Sequence, residues 1–265
     1  MSSKRVAFAQ TREQMLTTLT EVLRNDERFV AAWLAGSYGR GEQTVGSDLD
    51  LHVVVADAYS EVLCAKPWDA GAKTTAERLA LFRQIETPAF ACDIHQNNPL
   101  GGTFTYVAYL ESALNVDWML TPQHAAHQLP DTRILFDKVG LPAAPPTEPK
   151  TLEERAEHAS AQVGWFWLDA CENARNLLAG NLCEFHEMYT WMVDHVREVR
   201  AALRGEQARW ISNTHSRVYS TCEEQVAALR ALCDEMEMLM PEVVRLGGYV
   251  PQNPRVVVEK RLALL

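Results

Sequence analysis

Two aspartates one residue apart, Asp48 and Asp50, follow a glycine-rich turn that begins Leu34-Ala-Gly-Ser-Tyr-Gly-Arg-Gly. Leu49, Leu51, Val53 and Val55 alternate with Asp48, Asp50 and His52, the period-two pattern of a half-buried strand, so both carboxylates point to one side. Two hard oxygen ligands on one face suit Mg²⁺, which takes one or two carboxylates together with substrate phosphates. Upstream, the apolar run 29–35 reads as a buried strand, and Gly36-Ser37 then turns the chain so that backbone N–H groups and a hydroxyl face phosphate oxygens. The equipment is that for holding a metal-bound triphosphate. Arg40 is a planar fork suited to bidentate phosphate contact, or else a surface arginine at the start of a short helix after Ser37.

Two further aspartates could join Asp48 and Asp50 from a neighbouring strand. Asp117 in Val116-Asp-Trp-Met-Leu120 and Asp93 in Phe90-Ala-Cys-Asp-Ile94 each interrupt an apolar segment, where an uncompensated charge is costly unless a metal or a partner satisfies it. Asp117 is preferred and Asp93 competes with it.

These residues need a scaffold. Met15, Leu16, Leu19, Val22 and Leu23 recur at helical spacing, and 75–85 forms a second amphipathic helix through Leu79, Phe82 and Ile85. Strand-like segments follow at 89–95, 104–110, 113–120 and 134–136, with a loop around Lys66-Pro67-Trp68 between signature and helix. The order predicts a mixed sheet with helices on one side. Four prolines within 141–149 mark an extended connector. Thr151 with Glu154 then makes a capping box, and three apolar stripes, closed by Gly180, by Gly205 and at Pro241, predict a bundle of three or four antiparallel helices. The expected class is α+β, divided into a catalytic domain 1–141, a proline-rich linker 142–150 and an all-α domain 151–265 for substrate binding or dimerisation.

At 265 residues and 47% hydrophobic content the chain can bury one large core or two modest ones. The net charge of −10 argues against a broad nucleic-acid groove and suits a compact cationic substrate. Six scattered cysteines lack zinc-site spacing. No apolar run reaches the length of a membrane span, and a soluble, cytoplasmic protein is expected.

Gly36-Ser37, Arg40-Gly41 and Ser47-Asp48-Leu49-Asp50, in that order between two strand-like segments, resemble the signature of the DNA polymerase β-like nucleotidyltransferase superfamily. The resemblance implies two Mg²⁺ ions, one bridging the β- and γ-phosphates and one activating an acceptor hydroxyl for in-line attack on the α-phosphorus. It makes Asp48, Asp50 and Asp117 the metal ligands and catalytic carboxylates, and Gly36, Ser37, Arg40 and Ser47 the nucleotide contacts. Within the superfamily the chain is most similar to the antibiotic nucleotidyltransferases, which place a nucleotide monophosphate, here expected to be AMP from ATP, on a lincosamide or aminoglycoside hydroxyl. That likeness rests on length, on Ile134-Leu-Phe-Asp-Lys138 and on the helical stretch 172–182. It assigns Arg175 to the nucleotide, although the following turn, Ala179-Gly180-Asn181, lacks the frequent charge. The match to a lincosamide-branch base falls at Gly102-Thr103-Phe104, which has no carboxylate, so either Asp117 is the base or substrate and chemistry differ. Asp169 and Glu172, with Trp165 and Trp167 nearby, are the acceptor-binding candidates or a solvated helix face; a homodimer is allowed. Two other readings stand beside this one: a toxin–antitoxin-type enzyme modifying protein or RNA, suggested by Arg209 and His215 at Arg-x5-His spacing, and a non-catalytic nucleotide-binding protein.

Overall fold

The computed structural model describes residues 3–65, 72–94, 100, 102–146, 148–206, 208 and 218–265. The loop Lys66-Pro67-Trp68 and the pair Arg209 and His215 lie outside the described residues. The chain divides into two compact units, residues 1–146 and 147–265.

The first unit is an α+β layer built on one seven-stranded sheet. Its strands are β1 (Phe29–Leu34), β2 (Leu49–Val55), β3 (Ala72–Lys73), β4 (Pro88–Ile94), β5 (Thr103–Tyr109), β6 (Asn115–Pro122) and β7 (Arg133–Asp137), in the order β3-β4-β5-β6-β2-β1-β7. The sheet is mixed: β2 and β6 run parallel, and the remaining pairs are antiparallel. Leu49, Leu51, Val53 and Val55 on β2 and Val116, Trp118 and Leu120 on β6 point to one face and build the main core. Helices α1 (Ser3–Asn25), α3 (Asp57–Leu63) and α4 (Ala76–Phe82) cover that face with Leu16, Leu19 and Leu23, with Leu63, and with Leu81 and Phe82. A four-residue helix α2 (Gly36–Gly39) follows β1. Among the described residues the opposite face carries a small cluster around Val30, Ala31, Trp33 and Val54. It is therefore the face left for chemistry.

The second unit contains α5 (Leu152–Leu178), α6 (Leu182–Arg204), α7 (Cys222–Arg245) and α8 (Pro254–Leu262). Thr151 and Glu154 form the reciprocal cap of α5, and Gly205, at φ +72°, ends α6 in the left-handed conformation. Ala159, Val163, Phe166 and Ala170 of α5 meet Phe185, Met192 and Val196 of α6 and Leu229 and Met236 of α7 in one core. Trp167 joins this core, whereas Trp165 is 55% exposed.

One expectation about boundaries needs correction. The third helical stripe does not stop at Pro241, because α7 continues to Arg245. Proline removes one helical hydrogen bond, but Met236 and Val243 on either side are fully buried and hold the axis in place. At the start of the proline-rich connector the Pro142 carbonyl accepts from the Gln128 N–H, the Ala144 N–H donates to the Gln128 carbonyl, and Leu141 packs on the small cluster of the first unit.

Candidate active site

The pairing of β2 with β6 decides where the carboxylates lie. Asp50 stands directly opposite Asp117 in the parallel register, so their side chains share the open face of the sheet. Asp48, two residues before Asp50, sits at the mouth of β2 and is exposed. Across the next pairing Tyr106 on β5 opposes Asp117, and beyond it Cys92 on β4 opposes Tyr106. A single row thus crosses four strands, from Asp50 through Asp117 and Tyr106 to Cys92.

Gly36 closes the row at the Asp50 end. At φ +56° it holds a conformation that L side chains avoid, and a Cβ built there would overlap the Asp50 carboxylate. Ala35 donates its backbone N–H to the Asp50 carbonyl at 2.9 Å, which ties the turn to β2. The glycine is required because the backbone passes against the carboxylate itself. Ser37 follows within α2, and Arg40 caps that helix with its guanidinium 2.8 Å from Glu42.

The loop that delivers Asp48 is fixed by a residue outside the signature. Arg12 of α1, buried at 3% exposure, donates to the carbonyls of Val45 at 3.1 Å and Ser47 at 2.6 Å. Its guanidinium lies 5.2 Å from the Tyr38 ring, and Tyr38 donates to Glu13. The Ser47 hydroxyl accepts from the Thr44 backbone N–H at 2.9 Å, so it braces this turn. The signal in the sequence is an arginine in register with Met15, Leu16, Leu19 and Leu23 on the buried stripe of α1.

Asp93 is already satisfied. Buried at 1% exposure, it accepts from Arg78 at 2.5 Å and from Thr105 at 2.6 Å. Arg78, itself fully buried, also donates to Thr74 and to the carbonyls of Leu63 and Ala65. The side chain faces the covered side of the sheet, in register with Thr105. Asp117 presents the opposite case, because its buried Oδ1 has no hydrogen-bond partner among the described residues.

The electrostatics of the row follow from this. Burial, then the charges of Asp48 and Asp50, push the Asp117 carboxyl up to about 7. Burial and the Asp48 charge also raise Asp50, with Arg40 opposing them. The Tyr106 phenol is raised by burial and then by Asp117 and Asp48. Among the described residues no three His, Cys, Asp or Glu side chains form a ready-made metal cage. A half-open set with repelling carboxylates and an orphaned Asp117 oxygen nevertheless fits a divalent cation that completes its shell with substrate phosphates. His52, two residues beyond Asp50, stacks on Trp33 at 5.5 Å, and burial lowers it to about 4, so it stays neutral under the site.

The remaining candidates form a second group on α5. Asp169 is buried and lies 3.1 Å from His195 Nε2 of α6, whose Nδ1 lies 2.6 Å from Gln162. Glu172 pairs with Arg175 at 2.5 Å.

Residues 17–100 match the family model of the nucleotidyltransferase domain. The protein is a transferase of nucleotidyl groups. The match supports placing the N-terminal unit in the polymerase β-like superfamily, and such a domain implies a nucleotide substrate. The matched span begins within α1 and ends between β4 and β5, so it holds Gly36, Asp48 and Asp50 but not Asp117. No curated protein matches the chain. No helix among the described residues is long and apolar enough to cross a membrane.

Proposed function

We propose that this transferase moves a nucleoside monophosphate, AMP from ATP, to a hydroxyl of a small molecule of the lincosamide or aminoglycoside type, with Mg²⁺. The observation that carries the reading is the facing of Asp50 and Asp117 on the open side of the sheet, with Gly36 pressed against Asp50. Asp48, Asp50 and Asp117 would hold the Mg²⁺, which when bound neutralises phosphate oxygens and acidifies a hydroxyl. The N–H groups of the Gly36-Ser37 turn and the Ser37 hydroxyl cradle the pyrophosphate side, and Arg40 adds a charge there once released from Glu42. Ser47 serves this cradle by bracing the loop before Asp48.

In the reaction the acceptor oxygen forms a bond to the α-phosphorus as the α–β bridging P–O bond breaks, and pyrophosphate leaves. The acceptor proton goes to Asp117 Oδ1, a buried oxygen with no hydrogen-bond partner among the described residues. On α5, Asp169 and Glu172 are the acceptor-binding candidates and Arg175 the nucleotide-binding one; Glu172 pairs with Arg175, and Asp169 with His195.

The test is pyrophosphate release by the purified protein with Mg²⁺ and each of the four nucleoside triphosphates, against a panel of lincosamides and aminoglycosides. Release with one drug, and a mass increase of one nucleotide on it, is the expected result. Silence across the panel with triphosphate still bound would reject these acceptors.

A further inference from the structure

The carboxylate row has two unlike ends. At one, Gly36 and Ser37 take the pyrophosphate; at the other, past Asp117, the sheet continues into β5 and β4 on the same open face. In-line displacement puts the entering oxygen opposite the leaving one, so the acceptor must approach from the β5 side. What lies there is aromatic. Tyr106 opposes Asp117 across the antiparallel pair, where Cβ atoms are roughly 5 Å apart. Phe90, diagonal to it on β4, holds its ring 6.1 Å from the Tyr106 ring at 58° and is 54% exposed. Tyr106 is half-buried.

A large apolar ring left open beside a row of carboxylates is not a core feature. We propose that Phe90 and Tyr106 form the seat of the acceptor: the C–H face of a sugar-like ring lies on the two aromatic rings, its reacting hydroxyl reaches Asp117, and Tyr106 Oη hydrogen-bonds an adjacent hydroxyl. Tyr106 and Phe90 are then specificity residues for the acceptor and make no contact with the nucleotide. The assignment rests on the transfer reaction proposed above and deepens it by naming the surface that selects a ring-bearing acceptor.

Lincomycin is the probe, observed by saturation-transfer NMR with the intact protein, Mg²⁺ and ATP whose α,β-bridge is methylene, so that no turnover occurs. Wild type should bind it. Phe90→Ala, at an exposed position that tolerates truncation, and Tyr106→Ala should each weaken that binding about tenfold, the scale of a lost aromatic contact. Tyr106→Phe, which keeps the ring, should lose about threefold. Nucleotide affinity should change less than twofold in all three. Failure of wild type to bind lincomycin, equal binding by the alanine variants, or a parallel loss of nucleotide affinity would overturn the seat. Lincomycin binding that depends on Phe90, without nucleotide transfer to lincomycin when ATP replaces the analogue, would leave the seat standing and remove the drug-directed reaction instead.

Discussion

Asp117 carries the heaviest electrostatic load in the site. The folded protein keeps its proton up to about pH 7, whereas the free side chain gives it up near 3.8. The folded state therefore binds more protons than the unfolded one between those values, and its stability falls as pH rises through that window. Asp117→Asn removes the repulsion from Asp48 and Asp50. In EDTA at pH 8 the variant should melt about 2–4 °C above wild type, the shift expected for roughly 1 kcal/mol in a chain of this size. Added Mg²⁺ should raise the wild-type midpoint at pH 8 and move the variant less. Thermal denaturation read both ways checks this; a less stable variant in EDTA would mean that Asp117 is satisfied by something else. Gly36→Ala places a methyl on the Asp50 carboxylate at a positive φ, and the strain is about 1–2 kcal/mol. Its signature should be a fall in turnover of at least about a hundredfold with only a modest drop in melting temperature, since the displaced group is a catalytic one.

At the scale of elements, the choice between Asp93 and Asp117 separates what the sequence displays from what it conceals. Both sit within apolar strands, and period-two alternation alone treats them alike. What distinguishes them is register and a partner: Asp117 faces Asp50 across β2 and β6, while Asp93 points to the covered face and meets Arg78 from α4. Neither contact is local in sequence. Asp93→Asn should cost about 3 kcal/mol by leaving Arg78 uncompensated, yet folded molecules at low temperature should turn over at the wild-type rate. Urea denaturation with parallel initial-rate assays would show it, and a variant of normal stability with no activity would reverse the two roles. The same reasoning covers Arg12. An arginine on a buried helical stripe marked an unusual position, but its clamp on Val45 and Ser47 spans more than thirty residues and appears only once α1 is laid against the loop. Arg12→Ala should weaken triphosphate binding, about tenfold by equilibrium titration, by loosening the backbone that presents Asp48. By contrast, Leu49 to Val55, the Thr151–Glu154 cap and the helical stripes were legible because each is a repeat within one element. Pro241 misled for the same reason, since a local rule met a helix held by its neighbours on both flanks.

Over the whole molecule, each unit has a hydrophobic core of its own, one under the sheet and one among α5, α6 and α7. Limited proteolysis should therefore cut between Pro145 and Lys150 and leave two resistant fragments, identified by mass; fragments that degrade at equal rates as soon as the chain is cut would show that neither core suffices alone. The row from Gly36 to Cys92 is a property of this scale too, because it needs β1, β2, β6, β5 and β4 side by side, and no window of sequence contains it. Its claim is that nucleotidyl transfer occurs at the facing carboxylates. The most direct measurement is Mg²⁺-dependent pyrophosphate release by Asp50→Asn, shown by circular dichroism to be folded, beside wild type with the same triphosphate and acceptor. A loss of about a thousandfold is the predicted result; turnover equal to that of wild type would place the chemistry elsewhere.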